Sequence, residues 1–255
     1  MRSPLVSIIM PVYNSEKYIS DSISSALQQS YENYEFIIVD DCSTDTSRSI
    51  INTFQNKDKR ITCIFLSENK GVAHARNQGI QAARGKYIAF MDSDDLWDAD
   101  KLKIQIEIME GSKADLSYTS YMMIDEQGII FSKKNVPQTV DFTDLLKENF
   151  ICLSSILVKS CVAKKHFMKR EYFHEDYIFL LDLLKENCFF KGIEKNLVYY
   201  RVSRLGRSMN KKNAAKFRWK IYRDYLGMNW LISSYYFFYY FINGIRKYYF
   251  KSKEA

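Results

Sequence analysis

The chain has 255 residues and a formal net charge of +7, with 47 % apolar residues, 26 % charged residues, three prolines and nine glycines. These values exclude a disordered, low-complexity or collagen-like chain, and they fit one large α/β domain with or without an appendage. The five cysteines form no Cys-x-x-Cys pair, which excludes a disulfide framework or a zinc site and indicates a reducing compartment.

Apolar runs and helical patterns alternate in the first hundred residues. The predicted elements, in chain order, are strand 5–12, helix 15–29, strand 35–39, helix 46–54, strand 61–66, helix 72–83 and strand 86–91. This alternation predicts a parallel sheet with right-handed crossovers. Because ligands of such sheets bind at the carboxyl ends of the strands, the residues there are the first candidates for a functional site.

The pattern is looser in the second part of the chain. The predicted elements are helix 101–109, strand 116–124, a hairpin turn at 126–128, strand 129–131, helix 141–147, strand 155–158, helices 160–166 and 175–186, strands 189–191 and 197–202, and helix 211–227. Neither an internal repeat nor a low-complexity linker separates these elements, so the sequence indicates continuous folded structure.

The first predicted strand ends in Pro11-Val12-Tyr13-Asn14, which contains no glycine-rich phosphate loop. Dinucleotide-binding and P-loop sites depend on such a loop, so both interpretations are weak here. The ring of Tyr13 either lies flat against a nucleobase or packs within the protein.

Acidic residues follow the second and fourth predicted strands. Asp40 and Asp41 begin a turn that either caps the next helix or contacts a ligand. Asp92, Asp94 and Asp95 place three carboxylates within four residues, which is costly unless a divalent cation or solvent offsets their repulsion. A hard, oxygen-liganding ion such as Mg²⁺ or Mn²⁺ fits this arrangement, and the alternative is a capping cluster for the following helix.

Four ordered blocks of sequence resemble a known family. They are residues 6–14, 37–45, 69–77 and 90–95. Together they resemble the family 2 inverting glycosyltransferases with a GT-A fold, strongly over residues 5–100 and more loosely as far as residue 205. The resemblance implies an α/β fold with a Rossmann-like, mostly parallel central sheet, flanking helices and a C-terminal helical, basic and aromatic extension.

The resemblance also implies a division of the chain. Residues 1–110 form the nucleotide-sugar-binding half, and residues 111–205 form the acceptor-binding half of the same domain. Beyond the resemblance, the basic and aromatic composition of residues 206–255 predicts a helical tail, with association with the membrane surface as the leading interpretation.

Donor-binding roles follow from the same resemblance. It places Pro11, Tyr13 and Asp41 around the uracil of a UDP-sugar. It places Arg76 near the nucleotide, and the alternative for this residue is a surface ion pair.

The acidic loop receives its roles from the resemblance as well. Asp92 contacts the ribose or the sugar, and Asp95 orients the loop or caps the next helix. Asp94 binds the divalent metal, Mn²⁺ or Mg²⁺, that bridges the diphosphate. A cation there suits the chemistry because negative charge develops on the departing UDP.

Glu175 and Asp176 resemble the family's Glu-Asp base motif. Asp176 takes the position of the base that removes the proton of the acceptor hydroxyl, and Glu175 binds the acceptor or holds Asp176. The alternative is an ordinary acidic first turn of a helix, which the helix dipole favours. One base without a carboxylate nucleophile implies a single displacement, so an α-linked donor gives a β-linked product.

Arg201 belongs to a Tyr-Arg block similar to one in the family, although Ser203 stands where a histidine often follows. This departure weakens a metal or phosphate role for the loop. Arg201, Arg204 and Arg207 either hold diphosphate oxygens or lie in a solvated basic loop.

The C-terminal part of the chain is strongly basic. Residues 201–255 carry 13 Lys or Arg and only two acidic residues. Within them, residues 225–245 are free of charge and long enough for a spanning helix, but five tyrosines and several Asn and Ser dilute their apolar character. The leading interpretation is a segment that lies on an anionic membrane surface; packing within the protein or an oligomer and a true span are the alternatives.

These patterns and the resemblance together predict an inverting, metal-dependent glycosyltransferase. This hexosyltransferase moves a sugar from a UDP-sugar to a saccharide acceptor on a polyprenyl diphosphate, in O-antigen or capsule synthesis, and is cytoplasmic and peripheral on the inner face of the membrane. The alternative is a non-enzymatic membrane-surface or nucleic-acid-binding protein that uses the basic tail. Nucleic acid is not an expected partner, because such a binder has no use for Asp92, Asp94 and Asp176.

Overall fold

One mixed β-sheet organises the computed structural model, which describes residues 3–169, 171–172, 174–203 and 211–249. The nine strands of the described chain are β1 (Val6–Val12), β2 (Tyr34–Asp40), β3 (Ile61–Phe65), β4 (Tyr87–Phe90), β5 (Leu96–Trp97), β6 (Leu116–Ile124), β7 (Ile130–Lys134), β8 (Leu157–Lys159) and β9 (Phe190–Arg201). They lie in the order β3-β2-β1-β4-β8-β6-β9-β5, and β7 pairs with β6.

Helices cover both faces of this sheet. In chain order they are α1 (Ile19–Leu27), α2 (Ser47–Lys57), α3 (Val72–Ala82), α4 (Lys101–Gly111), α5 (Phe142–Lys147), α6 (Ser160–Ala163), α7 (Glu175–Lys185), α8 (Lys211–Lys220) and α9 (Trp230–Tyr249). A 3₁₀ turn spans Leu153–Ser155, and a π-helical turn spans Ile221–Tyr225. The predicted α/β class with a helical C-terminal extension is confirmed.

The buried strands explain why two cores form. Successive side chains of a strand point to opposite faces, so Ile9 of β1 joins one core while Ile8 and Met10 join the other. Both cores are closed by helices, with Ile80 of α3 on the first side and Ile23 of α1 on the second. This double burial matches the continuous apolar runs of β1 and β2.

The strand order reverses at β1. β1 pairs in parallel with β2 on one side and with β4 on the other, and β2 pairs in parallel with β3. The carboxyl ends of these four strands therefore meet at one edge of the sheet. A crevice opens at such a reversal, between the loops that follow β1 and β4.

The second half of the sheet departs from the predicted strands in two places. The predicted strands 189–191 and 197–202 are one strand, β9, which runs parallel to β6 with register shifts around Ser120. The two-residue strand β5 was not predicted, because it exists only through antiparallel pairing with β9. Strands from residues 1–110 and 111–205 share this one sheet; the functional division of the chain at these boundaries stays a prediction.

The C-terminal region also differs from its prediction. The predicted helix 211–227 ends as an α-helix at Lys220 and continues as the π-helical turn. Gly227, with a φ of 64°, reverses the chain before α9 begins at Trp230, so the charge-free window 225–245 is not one helix. Within the described ranges no helix has the length and apolar character needed to cross a membrane.

α9 is apolar on two sides. Tyr236 and Phe237 pack against the core, whereas Leu231, Tyr235 and Phe238 are exposed. The exposed residues follow each other at spacings of four and three, so they form one stripe along the helix.

α4 buries a lysine. The side chain of Lys101 is fully buried, and its Nζ donates a hydrogen bond of 2.7 Å to Gln105 Oε1 and lies 3.9 Å from the centre of the Trp97 ring. Gln105 donates in turn to the carbonyl oxygen of Ser155 at 3.0 Å. Burial lowers the pKa of Lys101 to about 7, since the charged form loses its hydration.

Lys101→Met removes this titration. The unfolded chain keeps Lys101 protonated to higher pH than the folded protein does, so folding is favoured as pH rises. We expect the wild-type free energy of unfolding to increase relative to the variant by up to about 1.4 kcal/mol per pH unit between roughly pH 7 and pH 9. Urea unfolding of both proteins across this range measures the difference. The exposed Lys103 on the same helix gives the control Lys103→Met, and a pH-independent gap for Lys101→Met would contradict the prediction.

Candidate active site

A cleft of about 930 Å³ opens at the carboxyl ends of the parallel strands. Nine candidate residues from the sequence line it: Pro11, Tyr13, Asp41, Arg76, Asp92, Asp94, Glu175, Asp176 and Arg201. Asp40 and Asp95 do not line it, and both are fully buried. Residues from both halves of the chain therefore meet at one site, whereas Arg204 and Arg207 lie outside the described residues.

The loops that follow β1 and β2 form one wall of the cleft. Asn14 and Cys42 adopt positive φ values of 48° and 63°, an uncommon conformation for residues other than glycine. Hydrogen bonds hold the two loops together, since Asn14 N donates to Ser43 Oγ at 3.0 Å and Thr44 N donates to Asn14 Oδ1 at 2.8 Å. Between these fixed turns, Tyr13 presents a ring that is 49 % exposed.

Asp41 fixes the loop that leads into α3. Its two carboxylate oxygens accept hydrogen bonds from Lys70 N at 2.9 Å and Gly71 N at 2.7 Å. Gly71 has a φ of 87°, which only glycine adopts without strain. Asp41 thus connects the end of β2 to the start of the helix that carries Arg76.

Arg76 bridges two carboxylates from distant parts of the sequence. Its Nη2 lies 2.6 Å from Asp92 Oδ1 and its Nη1 lies 2.9 Å from Glu175 Oε1. Burial disfavours the charge of Arg76, but the carboxylates of Asp92 and Glu175 outweigh this effect and raise the pKa of the guanidinium. Because Arg76 is 5 % exposed, the alternative of a surface ion pair is wrong.

Hydrogen bonds from several elements hold the acidic loop after β4. Asp92 N donates to Ser154 Oγ at 3.0 Å, and Trp97 Nε1 donates to Ser154 O at 3.0 Å. The hydroxyls of Ser15 and Ser93 lie 2.7 Å apart. The loop is therefore held by the 3₁₀ turn and by the loop after β1.

Arg201 and Asp95 anchor the end of β9 to the acidic loop. Arg201 N donates to Asp95 Oδ1 at 2.9 Å, and Arg201 Nε donates to Asp94 O at 2.9 Å. Arg201 Nη1 reaches Asp125 O at 3.1 Å, and its guanidinium lies 4.4 Å from the centre of the Tyr18 ring. Arg201 is 6 % exposed, so it does not lie in a solvated loop.

The cleft carries an excess of negative charge. Its described lining contains six carboxylates against three Lys or Arg side chains: Asp41, Asp92, Asp94, Glu126, Glu175 and Asp176 against Lys17, Arg76 and Arg201. Burial and the nearby charge of Asp92 raise the pKa of Asp94 to about 6. The carboxylate charge at the acidic loop is therefore only partly compensated by the protein groups around it.

Glu175 and Asp176 lie in the first turn of α7, where the helix dipole favours carboxylates. Glu175 is 5 % exposed and paired with Arg76. Asp176 lines the cleft and is half-buried, and within the described part of the chain no donor forms a hydrogen bond with its carboxylate. The two neighbours thus differ: one is held, and the other faces the cleft without a hydrogen-bond partner.

Sequence reasoning missed two parts of the site. Ser154 supports the acidic loop, and its only signal is a pair of serines within an apolar run. Lys17 and Glu126 form an ion pair of 2.9 Å at the cleft, between the loop that precedes α1 and the turn that follows β6. This pair has no local signal, because its members are 109 residues apart.

Comparison with known proteins agrees with this fold. The profile of glycosyl transferase family 2 matches residues 7–175. The chain belongs to this family and is a glycosyltransferase. Among its relatives is WfgD of Escherichia coli, the UDP-Glc:alpha-D-GlcNAc-diphosphoundecaprenol beta-1,3-glucosyltransferase, which is 38 % identical over 255 residues covering 98 % of each chain.

Two solved structures share the fold at lower identity. The crystal structure of S. aureus TarS 1-349 in complex with UDP-GlcNAc superposes with a TM-score of 0.70 and 22 % identity, covering 86 % of this chain and 66 % of that one. The mannosyltransferase PcManGT from Pyrobaculum calidifontis, in complex with GDP-Man and Mn²⁺, gives a TM-score of 0.70 and 15 % identity, covering 90 % and 66 %. The chain thus spans about two thirds of either solved chain.

Arg76→Met removes the cation from the buried ion pair between Arg76 and Glu175. Breaking a buried ion pair from one side costs about 3–5 kcal/mol, and we expect a loss of this size in the free energy of unfolding, measured with urea. Lys86→Met is the control, because Lys86 and Glu110 form a pair whose side chains are 54 % and 41 % exposed. The control loses at most about 1 kcal/mol. Equal losses in the two variants would show that the Arg76 bridge does not hold the site together.

Proposed function

We propose that the protein transfers a sugar from a UDP-sugar to a saccharide on a polyprenyl diphosphate, with inversion at the anomeric carbon. The observation that carries this proposal is the cleft itself. The cleft of about 930 Å³ is lined by the exposed ring of Tyr13 and by the acidic loop after β4, whose charge is only partly compensated. It is also lined by the carboxylate of Asp176, which has no hydrogen-bond donor among the described residues. The aromatic ring and the acidic loop fit the base and the diphosphate of a nucleoside diphosphate sugar. The carboxylate of Asp176 fits the acceptor hydroxyl.

The donor lies along the loops that follow β1 and β4. Tyr13 stacks on the uracil, with Pro11 and Asp41 forming the floor of the base site. Asp92 accepts a hydrogen bond from the ribose or the sugar while Arg76 keeps its carboxylate oriented. A UDP-sugar is the donor in the name of WfgD and the ligand bound to TarS, which supports this choice of donor.

The acidic loop fits a divalent cation, Mn²⁺ or Mg²⁺, held by Asp94 with Asp92 nearby. The excess of carboxylates over cations in the described lining favours such an ion, and carboxylate oxygens are its preferred protein ligands. The described residues contain no group of three or more His, Cys, Asp or Glu that could hold a metal. Asp94 and Asp92 would therefore hold the ion only together with ligands from outside the protein, for which donor phosphate oxygens are suited. When bound, the cation stabilises the negative charge that develops on the leaving diphosphate.

Asp176 acts as the general base. Its carboxylate takes the proton of the acceptor hydroxyl while the hydroxyl oxygen forms a bond to the anomeric carbon and the bond from that carbon to the UDP oxygen breaks. UDP leaves with the bonding electron pair. Because attack and departure occur on opposite faces of the sugar, an α-linked donor gives a β-linked product. Glu175, held by Arg76, keeps the first turn of α7 in place beside the acceptor.

A polyprenyl diphosphate acceptor places the enzyme at the cytoplasmic face of the membrane, in the synthesis of a surface polysaccharide such as O-antigen or capsule. The acceptor in the name of WfgD, GlcNAc on diphosphoundecaprenol, supports this class. The exposed stripe Leu231, Tyr235 and Phe238 of α9 provides an apolar and aromatic surface for the headgroup region. The basic composition of residues 201–255 suits anionic lipid.

Asp176→Asn tests the catalytic assignment. The amide cannot accept the proton, so we expect transfer from UDP-glucose to a GlcNAc-diphosphate-lipid acceptor to fall by about 10²- to 10⁴-fold, with unchanged affinity for UDP. Transfer is measured with radiolabelled donor, and UDP affinity by calorimetry. Glu186→Gln at the far end of α7 is the matched control, since Glu186 is 59 % exposed. Wild-type transfer by Asp176→Asn would remove Asp176 as the base.

The triple variant Leu231→Ser, Tyr235→Ser and Phe238→Ser tests whether the exposed stripe of α9 binds a membrane surface. Since burial of each large apolar side chain contributes about 1.5–3 kcal/mol, we expect the triple variant to bind vesicles of phosphatidylglycerol and phosphatidylethanolamine at least about tenfold more weakly. Co-sedimentation measures the bound fraction. Phe189→Ser, which removes an apolar side chain that is 43 % exposed elsewhere on the protein, is expected to bind as the wild type does. Unchanged binding by the triple variant would exclude this face of α9.

A further inference from the structure

Residues of the C-terminal segment contact the helix that carries Asp176. α7 is buried along most of its length. α9 packs against α5, while Arg218 of α8 and Tyr225 of the π-helical turn contact side chains of α7. Tyr177, the residue next to Asp176, is fully buried at the centre of this contact. The first turn of α7 therefore depends on a part of the chain that lies outside the two halves lining the cleft.

Arg218 of α8 is the unusual group in this contact. It is 5 % exposed, and its guanidinium carbon lies 3.6 Å from the centre of the Tyr177 ring and 5.1 Å from that of Tyr240 in α9. Within the residues that the structure describes, its Nε and Nη1 are buried without a hydrogen-bond partner. No described carboxylate forms an ion pair with it, so aromatic faces compensate its charge.

A buried guanidinium of this kind is costly, because it has lost most of its hydration while two of its three nitrogens have no hydrogen-bond partner among the described residues. A neutral apolar side chain would fill the same space without that cost. The stacking on Tyr177 gives the arginine one property that an apolar residue lacks, since the attraction between cation and ring fixes the ring against α8. The same arginine that is costly to bury therefore also fixes the ring of Tyr177, the residue that follows Asp176.

Three tyrosine hydroxyls join the same contact. Tyr225 of the π-helical turn donates to both carboxylate oxygens of Asp182 in α7, at 2.8 and 2.7 Å. Tyr177 donates to Leu145 O at 3.1 Å, and Tyr222 donates to Leu146 O at 2.6 Å. α7 is thus held to the π-helical turn near its middle, to α8 at its first turn, and to α5 by hydrogen bonds.

We propose that Arg218 is a positioning residue for the transfer reaction: stacked on Tyr177, it fixes the first turn of α7 so that the Asp176 carboxylate faces the acceptor hydroxyl. This role rests on the proposed function of Asp176. It makes the C-terminal segment part of the catalytic apparatus as well as a surface for lipid. The contact with Tyr240 joins the catalytic helix to α9 through one guanidinium.

The test compares turnover per binding site in Arg218→Met, Arg218→Lys and the wild type. UDP calorimetry counts the intact donor sites in each preparation, and the transfer rate is divided by that number, so partial unfolding does not count as lost catalysis. We expect Arg218→Met to lower kcat per site by about 10- to 100-fold while KM for the UDP-sugar stays within about twofold, because a misplaced base affects chemistry and not donor binding. Arg218→Lys keeps the cation and recovers part of kcat.

Two further variants make the outcome decisive. Tyr225→Phe removes only the hydroxyl that holds Asp182, and we expect it to lower kcat per site as Arg218→Met does. If Arg218→Met has no intact donor sites, kcat per site in Tyr225→Phe is the test of the positioning role. Lys185→Met, an exposed cation on α7 itself, is the control and keeps the wild-type kcat. A wild-type kcat per site in Arg218→Met would overturn the positioning role and leave the proposed function standing. The same result in Tyr225→Phe has this meaning if Arg218→Met has no intact donor sites. Absence of transfer by the wild-type protein would overturn the proposed function and the positioning role with it.

Discussion

The bridge from Arg76 to Asp92 and Glu175 is the interaction on which the arrangement of the cleft depends. Asp92 follows β4, Arg76 lies on α3, and Glu175 begins α7, so one buried guanidinium connects three elements from different parts of the sequence. This arrangement is stable only if the buried Arg76 keeps its carboxylates, because a guanidinium without hydration or a charge partner is strongly unfavourable. The acidic loop and the first turn of α7 therefore keep a fixed relation to each other, and both Asp176 and the acidic loop line the same cleft.

The rest of the site follows from the sheet and from shared hydrogen bonds. Parallel pairing of β1 with both β2 and β4 brings their loops to one edge, and the side chains of Asn14, Asp41 and Ser154 link those loops to neighbouring segments. These hydrogen bonds keep the loops together despite the mutual repulsion of the carboxylates that line the cleft. Under the proposed function, the loops that would receive the cation and the diphosphate are already ordered by these bonds, which lowers the entropic cost of binding.

The first half of the fold was predictable because its signals are local. The strands β1 and β2 are largely apolar and buried at every residue, and the resemblance identified nine of the residues that line the cleft. The remaining features arise from partners far apart in sequence. Arg76 was a candidate from its motif, but its pairing with Glu175 joins residues 99 positions apart. β5 is a strand only because β9 lies beside it, and Ser154 and Arg218 are ordinary residue types whose importance comes from what the fold places around them.

The central claim is that the carboxylates after β4 bind a nucleoside diphosphate through a divalent cation. Titration calorimetry of the purified protein with UDP, with and without Mn²⁺, tests it most directly when the wild type is compared with Asp94→Ala. We expect Mn²⁺ to tighten UDP binding to the wild type by at least about tenfold and to have no effect on the variant, because under the proposed function Asp94 would hold the cation. UDP binding of equal strength with and without Mn²⁺, or an undiminished Mn²⁺ effect in Asp94→Ala, would contradict the account.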